Sequence, residues 1–225
     1  MDATSQALLA AQIKAEALFA QVVDRGLIRA GKYESELTAE IHALAHSQFG
    51  LRRHWHKRLA RCGPNTLLTY HDEPADRRIS EDDIVYLDFG PVFEDWEADF
   101  GRSYVLGADP VKHRLVGDLG KAFAQGKELF RRTPTLTAGQ LYDYVNSLAG
   151  SHGWEFGGAT AGHLIGRFPH ETSPDDKMRL KIRHGNDVSL REPDARGAPR
   201  HWILEIHFID RAREIGGFYE ELLTV

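Results

Sequence analysis

The chain carries one cysteine, Cys62, among 225 residues. No intramolecular disulfide can form, and zinc sites built from several thiolates are excluded. Cys62 lies in Arg61-Cys62-Gly63-Pro64 with no nucleophile motif around it, and reads as an inert thiol. Long apolar runs are also missing, since none approaches the roughly 18 residues that a membrane span needs. Nor is there a surplus of positive charge. With 28 Lys+Arg against 33 Asp+Glu the formal net charge is -5, which argues against a general nucleic-acid binder and leaves acid to attract cations. Met1-Asp2-Ala3-Thr4 lacks the positive start of a secretory signal, so the expectation is a cytoplasmic protein with no membrane and no nucleic-acid partner. No linker rich in Gly, Ser or Pro divides the chain, which is therefore expected to form a single domain over 1–225.

What is present is an ordered alternation of helix and strand patterns. Leu8, Ala11, Ala15, Leu18 and Val22 repeat at helical spacing and predict a helix over 5–23. Leu37, Ile41, Leu44 and Ala45 predict a second over 38–48, stopped by Gly50. Strands are expected at 84–88 and 98–106. Asp109-Pro110 opens a helix to about Phe130, and Thr137-Ala138-Gly139-Gln140 has a capping-box pattern for a helix ending at Gly150. Strands follow near 154–156, 202–209 and 218–225, with 191–200 read as a surface loop. The order helix, helix, strands thus occurs twice. Leu37-Thr38-Ala39 ahead of Gly50 is echoed by Leu136-Thr137-Ala138 ahead of Gly150. Two similar halves around one shared sheet are expected.

Carboxylates and histidines fall at pointed places in this scheme. If 87–99 is a hairpin turning near Phe93-Glu94, Asp88 stands opposite Asp99 on one face. Two such carboxylates repel unless one is protonated, both reach water, or a cation lies between them; either could instead cap a turn. Asp88 ends the apolar run Ile84-Val85-Tyr86-Leu87, which makes free solvation costly and favours the cation. Further on, His163 lies between glycines in Gly162-His163-Leu164-Ile165-Gly166, and Pro169-His170-Glu171 follows. Glu205 interrupts the strand pattern Trp202-Ile203-Leu204-Glu205-Ile206-His207-Phe208, and Glu220 and Glu221 enter an otherwise apolar last strand.

This set resembles the methionine-aminopeptidase and Xaa-Pro-peptidase (M24, creatinase-aminopeptidase) family. Its members share the α+β pita-bread fold: two similar halves, with helices packed on a curved, mostly antiparallel sheet. They hold metal with Asp, Asp, His, Glu, Glu in that order. Here the two aspartates stand eleven residues apart, as in the family, and the Gly162–Gly166 run and His170-Glu171 match its histidine motifs. The likeness covers nearly the whole chain, as a catalytic domain without the separate N-terminal domain of longer members. It implies metal ligation by Asp88, Asp99, His163, Glu205 and Glu220. The ions would be two divalent transition-metal ions, from Mn, Co, Fe or Zn, that activate water against a scissile amide carbonyl. It also implies that Glu205 moves the proton and that His170 donates to the developing oxyanion. His71 would be a substrate-pocket histidine, although with 12 histidines in the chain one could fall near a motif by chance. The implied activity is that of an Xaa-Pro or methionine aminopeptidase on a small peptide or small-molecule substrate, in a protein that could pair as a homodimer.

Departures from the family pattern leave the substrate open. Leu164 replaces the middle glycine of the histidine motif, Gly101 stands where a threonine is usual, and Ile206 replaces proline after Glu205. The alternatives are a metal-dependent non-peptide hydrolase or lyase on the same scaffold, or a non-catalytic peptide or small-molecule binder. Glu221 competes with Glu220 for the last ligand position. His207 shares a strand face with Glu205 and is a candidate to orient a ligand. Arg167 is either a substrate-carboxylate binder or a surface ion pair. His54-Trp55-His56 reads as a partly buried aromatic flanked by polar neighbours.

Overall fold

Leu8, Ala11, Ala15, Leu18 and Val22 are all buried, and they form the inner stripe of α1 (Ala3–Asp24) in the computed structural model, which describes residues 2–168 and 178–224. Asp2 caps this helix by accepting from the Ser5 amide at 2.7 Å. The second helix, α2 (Glu34–Phe49), begins four residues before the expected start. Glu36 accepts from the Tyr33 amide at 2.8 Å, and buried Glu34 accepts from the Cys62 amide and Asn65 Nδ2. The first contact is a local cap and the second a tertiary anchor, and neither leaves a trace in an apolar repeat. Gly50 ends α2 in the left-handed conformation, as expected.

The strands follow in two groups. The first comprises β1 (Leu59–Cys62), which no sequence pattern announces, then β2 (Ile84–Phe89), β3 (Val92–Phe93), β4 (Trp96–Glu97) and β5 (Phe100–Val105). Two helices come next. Asp109 caps α3 (Pro110–Arg132) through the Val111 amide at 2.8 Å. Thr137 and Gln140 form the expected reciprocal cap of α4 (Ala138–Ser151). That helix runs through Gly150 and stops before Gly153, whose φ of +78° suits glycine. The second strand group is β6 (Glu155–Phe156), β7 (Leu164–Ile165), β8 (His201–Asp210) and β9 (Ile215–Leu222).

One antiparallel sheet joins the two groups in the order β1-β2-β5-β9-β8-β6, with β7 also paired to β8. The helices cover one face in two separate clusters. Helices α1 and α2 pack on Val85, Leu87 and Phe89, while α3 and α4 pack on Leu204, Ile206 and Phe208. The expected duplication is therefore real in three dimensions: one helix pair per half-sheet.

The expected register between the aspartates is corrected. Phe93 pairs with Trp96, so the turn lies at Glu94-Asp95 (φ +52° and +70°), one residue later than the spacing suggests. Asp88 consequently stands opposite Gly101, not Asp99. A one-residue shift of the turn moves the pairing by two, which preserves the face, so both aspartates still point the same way.

Candidate metal centre

Strand alternation sets the site. Leu87 and Ile206 face the helices, so Asp88 and Glu205 face away from them. The pairings Asp88↔Gly101, Gly101↔Glu220 and Glu220↔Glu205 run straight across four neighbouring strands. Three carboxylates thus share one cross-strand row, with a glycine in the gap beside Asp99. The glycine is required: a Cβ on Gly101 would lie 2.5 Å from the Phe218 ring and 3.0 Å from Glu220 Cβ. The row also separates the two candidate last ligands. Glu220 turns into the cluster, whereas Glu221 accepts from Arg102 and from the Tyr219 hydroxyl on the other side.

Two imidazoles close over the row. His163 Nε2 lies 3.0 Å from Asp99 Oδ2, 3.6 Å from Glu205 Oε1 and 4.0 Å from Glu220 Oε1. His56 Nε2 lies 3.0 Å from Asp99 Oδ1 and 3.6 Å from Asp88 Oδ1. Two groups of three ligating atoms, each mutually within 4.8 Å, result: His56, Asp88, Asp99 and Asp99, His163, Glu220.

Burial governs the protonation of this cluster. It pushes the Asp88 carboxyl up to about 7, with the charges of Asp99 and Glu205 adding to it and His56 opposing. Glu205 is likewise pushed up to about 7, and Glu220 well above its usual range by burial and by Asp99, Asp88 and Glu205. Asp99 goes the other way. Burial would raise it, but the His56 charge and hydrogen bonds from both imidazoles hold it below the usual carboxylate range. Burial would lower His56 and His163, but Asp99 foremost, with Asp88 for His56 and Glu205 for His163, raises each to about 9.

The residues fit a divalent ion. Carboxylate oxygens with imidazole nitrogens are the donors that Mn(II), Fe(II), Co(II) and Zn(II) accept. Glu220 Oε2 is buried without a hydrogen-bond partner among the described residues, a costly arrangement that a cation would relieve.

The other candidates fall in varied places. His71 is exposed, its ring 5.3 Å from that of Tyr70, which in turn meets His56 at 5.8 Å. His207 does not orient a carboxylate; its buried Nε2 donates to the Thr66 carbonyl at 2.9 Å and fastens the 63–67 turn to β8. Arg167 pairs with Asp95 at 3.1 Å, the surface ion pair of the two readings. His170 lies outside the described residues. His56 is the member of the cluster that sequence patterns miss. Its only local signal is the His-Trp-His spacing, which does not say what folds back onto it.

Comparison with known proteins decides the family. The sequence pattern of metallopeptidase family M24 matches residues 6–196. The chain belongs to that family. A Xaa-Pro dipeptidase of Pyrococcus horikoshii is 26% identical over 145 residues, 64% of this M24 chain and 40% of that protein. A methionine aminopeptidase of Rickettsia prowazekii is 29% identical over 124 residues, 54% of this chain and 46% of that one. The chain thus matches less than half the length of these curated relatives. The prolidase structure from Pyrococcus furiosus gives a TM-score of 0.76 at 20% identity, covering 99% of this chain and 60% of that one. The methionine aminopeptidase structure from Rickettsia prowazekii gives 0.70 at 16%, covering 99% and 97%. These structures share the pita-bread fold with this M24 chain, as the sequence resemblance implied.

Proposed function

We propose that this M24 chain is a metal-dependent hydrolase of the Xaa-Pro-peptidase or methionine-aminopeptidase kind, with Asp88, Asp99, His163, Glu205 and Glu220 holding two divalent transition-metal ions. The carrying observation is the row Asp88-Gly101-Glu220-Glu205 on the face away from the helices, with Asp99 and His163 over it. Buried acids so close together destabilise an empty site and are what a pair of cations needs. The names of the two curated relatives support a peptide substrate.

Bound ions would lower the pKa of water and polarise a carbonyl. The remaining work falls to side chains. Glu205, whose carboxylate faces His163 at 3.6 Å, would accept a proton from the attacking water and return it to the leaving amine. His163, anchored through Nδ1 on the Leu164 carbonyl at 2.9 Å, keeps Nε2 aimed at Asp99 and Glu205. His170 keeps the role that the family likeness implies, donation to the developing oxyanion, and His71 stays a candidate for the substrate side.

One observation favours a second reading, a reaction on a small organic acid. A cleft of about 480 Å³ next to His56 is lined by Arg52, Arg53, Lys57, Arg58, His42 and His54, and by no carboxylate among the described residues. Such a lining attracts an anion. A panel of Xaa-Pro dipeptides, aminoacyl amides and small carboxylic acids, assayed with each candidate metal, decides between the readings. Turnover of Xaa-Pro or aminoacyl bonds supports the peptidase; no turnover of any amide with metal bound refutes it.

A further inference from the structure

The five-ligand set leaves His56 without a role, yet its ring is positioned as carefully as that of His163. Its side chain is 6% exposed. Nδ1 lies 2.6 Å from the Lys57 carbonyl, which accepts its hydrogen bond, so the Nε2 that donates to Asp99 is the nitrogen left to offer its lone pair once an ion displaces its proton. His163 is arranged in the same manner, Nδ1 on the carbonyl of the following residue and Nε2 on Asp99. The two rings meet different oxygens of one carboxylate, Oδ1 for His56 and Oδ2 for His163, both at 3.0 Å.

The surroundings are shaped to this ring. A Cβ on Gly90 would lie 2.1 Å from His56 Cδ2 and 2.4 Å from its Nε2, so only glycine admits the imidazole there. The segment is tied to the chain beside both aspartates: Trp55 donates from its backbone to the Gly90 carbonyl at 2.9 Å and from its indole to the Ala98 carbonyl at 3.1 Å. The distances also fit a shared ion. A nitrogen and an oxygen bound to one ion at about 2.0–2.2 Å stand about 3–3.5 Å apart, close to the spacings of Nε2 from Asp99 and Asp88.

We propose that His56 is a sixth metal ligand, giving the Asp88 end of the site an imidazole nitrogen to match the one that His163 gives the other end. This rests on the metal-binding reading above. Each ion then has one nitrogen donor, and Asp99 lies between them. The added imidazole shifts the Asp88 position from a purely oxygen set toward Zn(II), Co(II) or Fe(II) and away from Mn(II).

The test is a count of imidazoles by X-ray absorption on the full chain loaded with cobalt, beside calorimetric stoichiometry. Wild type is expected to show one imidazole per ion at two ions per chain. His56→Gln is expected to lose the imidazole of one ion and to bind that ion at least 10-fold more weakly, with His163→Gln as its mirror. A residue that merely orients a ligand also costs about 10–100-fold in affinity, so the imidazole count is the deciding readout. Two ions bound by wild type with only one imidazole between them would overturn this inference and leave the metal reading standing. Wild type binding no more cobalt than the Asp88→Ala, Asp99→Ala double variant would overturn both. The wild-type count does not depend on how well any variant folds.

Discussion

Glu205 and Glu220 stand directly opposite each other on β8 and β9, both turned away from the helices. A facing pair of glutamates is among the least favourable cross-strand pairs unless protons or cations lie between them. Burial and the neighbouring carboxylates push both carboxyls of this pair up, so they favour holding protons that a metal would displace. Glu220→Gln mimics the protonated acid. Its stability without metal should stay within about 1 kcal/mol of wild type, while its metal affinity falls. Chemical unfolding in chelator, beside metal titration, checks both halves.

Metal should stabilise the fold by mass action. At a free ion concentration of about 100 Kd the gain is about 2.7 kcal/mol for each independent site, and a chelator should reverse it. Thermal unfolding at rising Co(II) or Mn(II) measures this. A midpoint indifferent to every divalent transition metal would refute the metal centre.

Metal uptake should depend on pH in one direction. Asp88 and Glu205, raised to about 7, and His56 and His163, raised to about 9, all hold protons that an ion must displace. Affinity therefore rises with pH through 7–9 and levels off above it, with protons released on binding. Calorimetry in buffers of different ionisation enthalpy counts those protons; a release of none would contradict the assignment.

Gly162 is the hinge on which His163 is aimed. Its φ is +131°, and an added Cβ would lie 2.1 Å from the Ile203 carbonyl oxygen on β8, a backbone atom that cannot step aside. Gly162→Ala should cost about 1–3 kcal/mol or more and displace His163. Denaturant unfolding and metal titration on one sample would show both losses together.

Glu205→Gln should separate chemistry from shape. The amide keeps the volume but cannot take a proton, so turnover on whichever substrate the panel identifies should fall by about 10²–10⁴-fold. Turnover at the wild-type rate with metal bound would remove Glu205 from the proton-moving role.

The sequence by itself determined the four helices, most of the strands and the face of the residues on them, because those follow from local periodicity and capping; β1 and β7 it did not announce. The inner stripe of α1, the Asp109 and Thr137 caps and the placement of Asp88 and Asp99 on one face were all legible. The side of the sheet survived an error in the turn because strand alternation repeats every two residues. What the tertiary structure decided involves residues far apart in the chain. The Cys62 amide and Asn65 hold Glu34 at the start of α2 from across the fold, Gly101 brings Glu220 beside the aspartates, and the pairing of β9 with both β5 and β8 turns Glu220 rather than Glu221 toward them. His56 lies 43 residues before Asp99, and no local pattern announces that a glycine at 90 will clear room for its ring. Local patterns mark the candidate carboxylates in the sequence; packing between distant segments decides which histidines lie beside them.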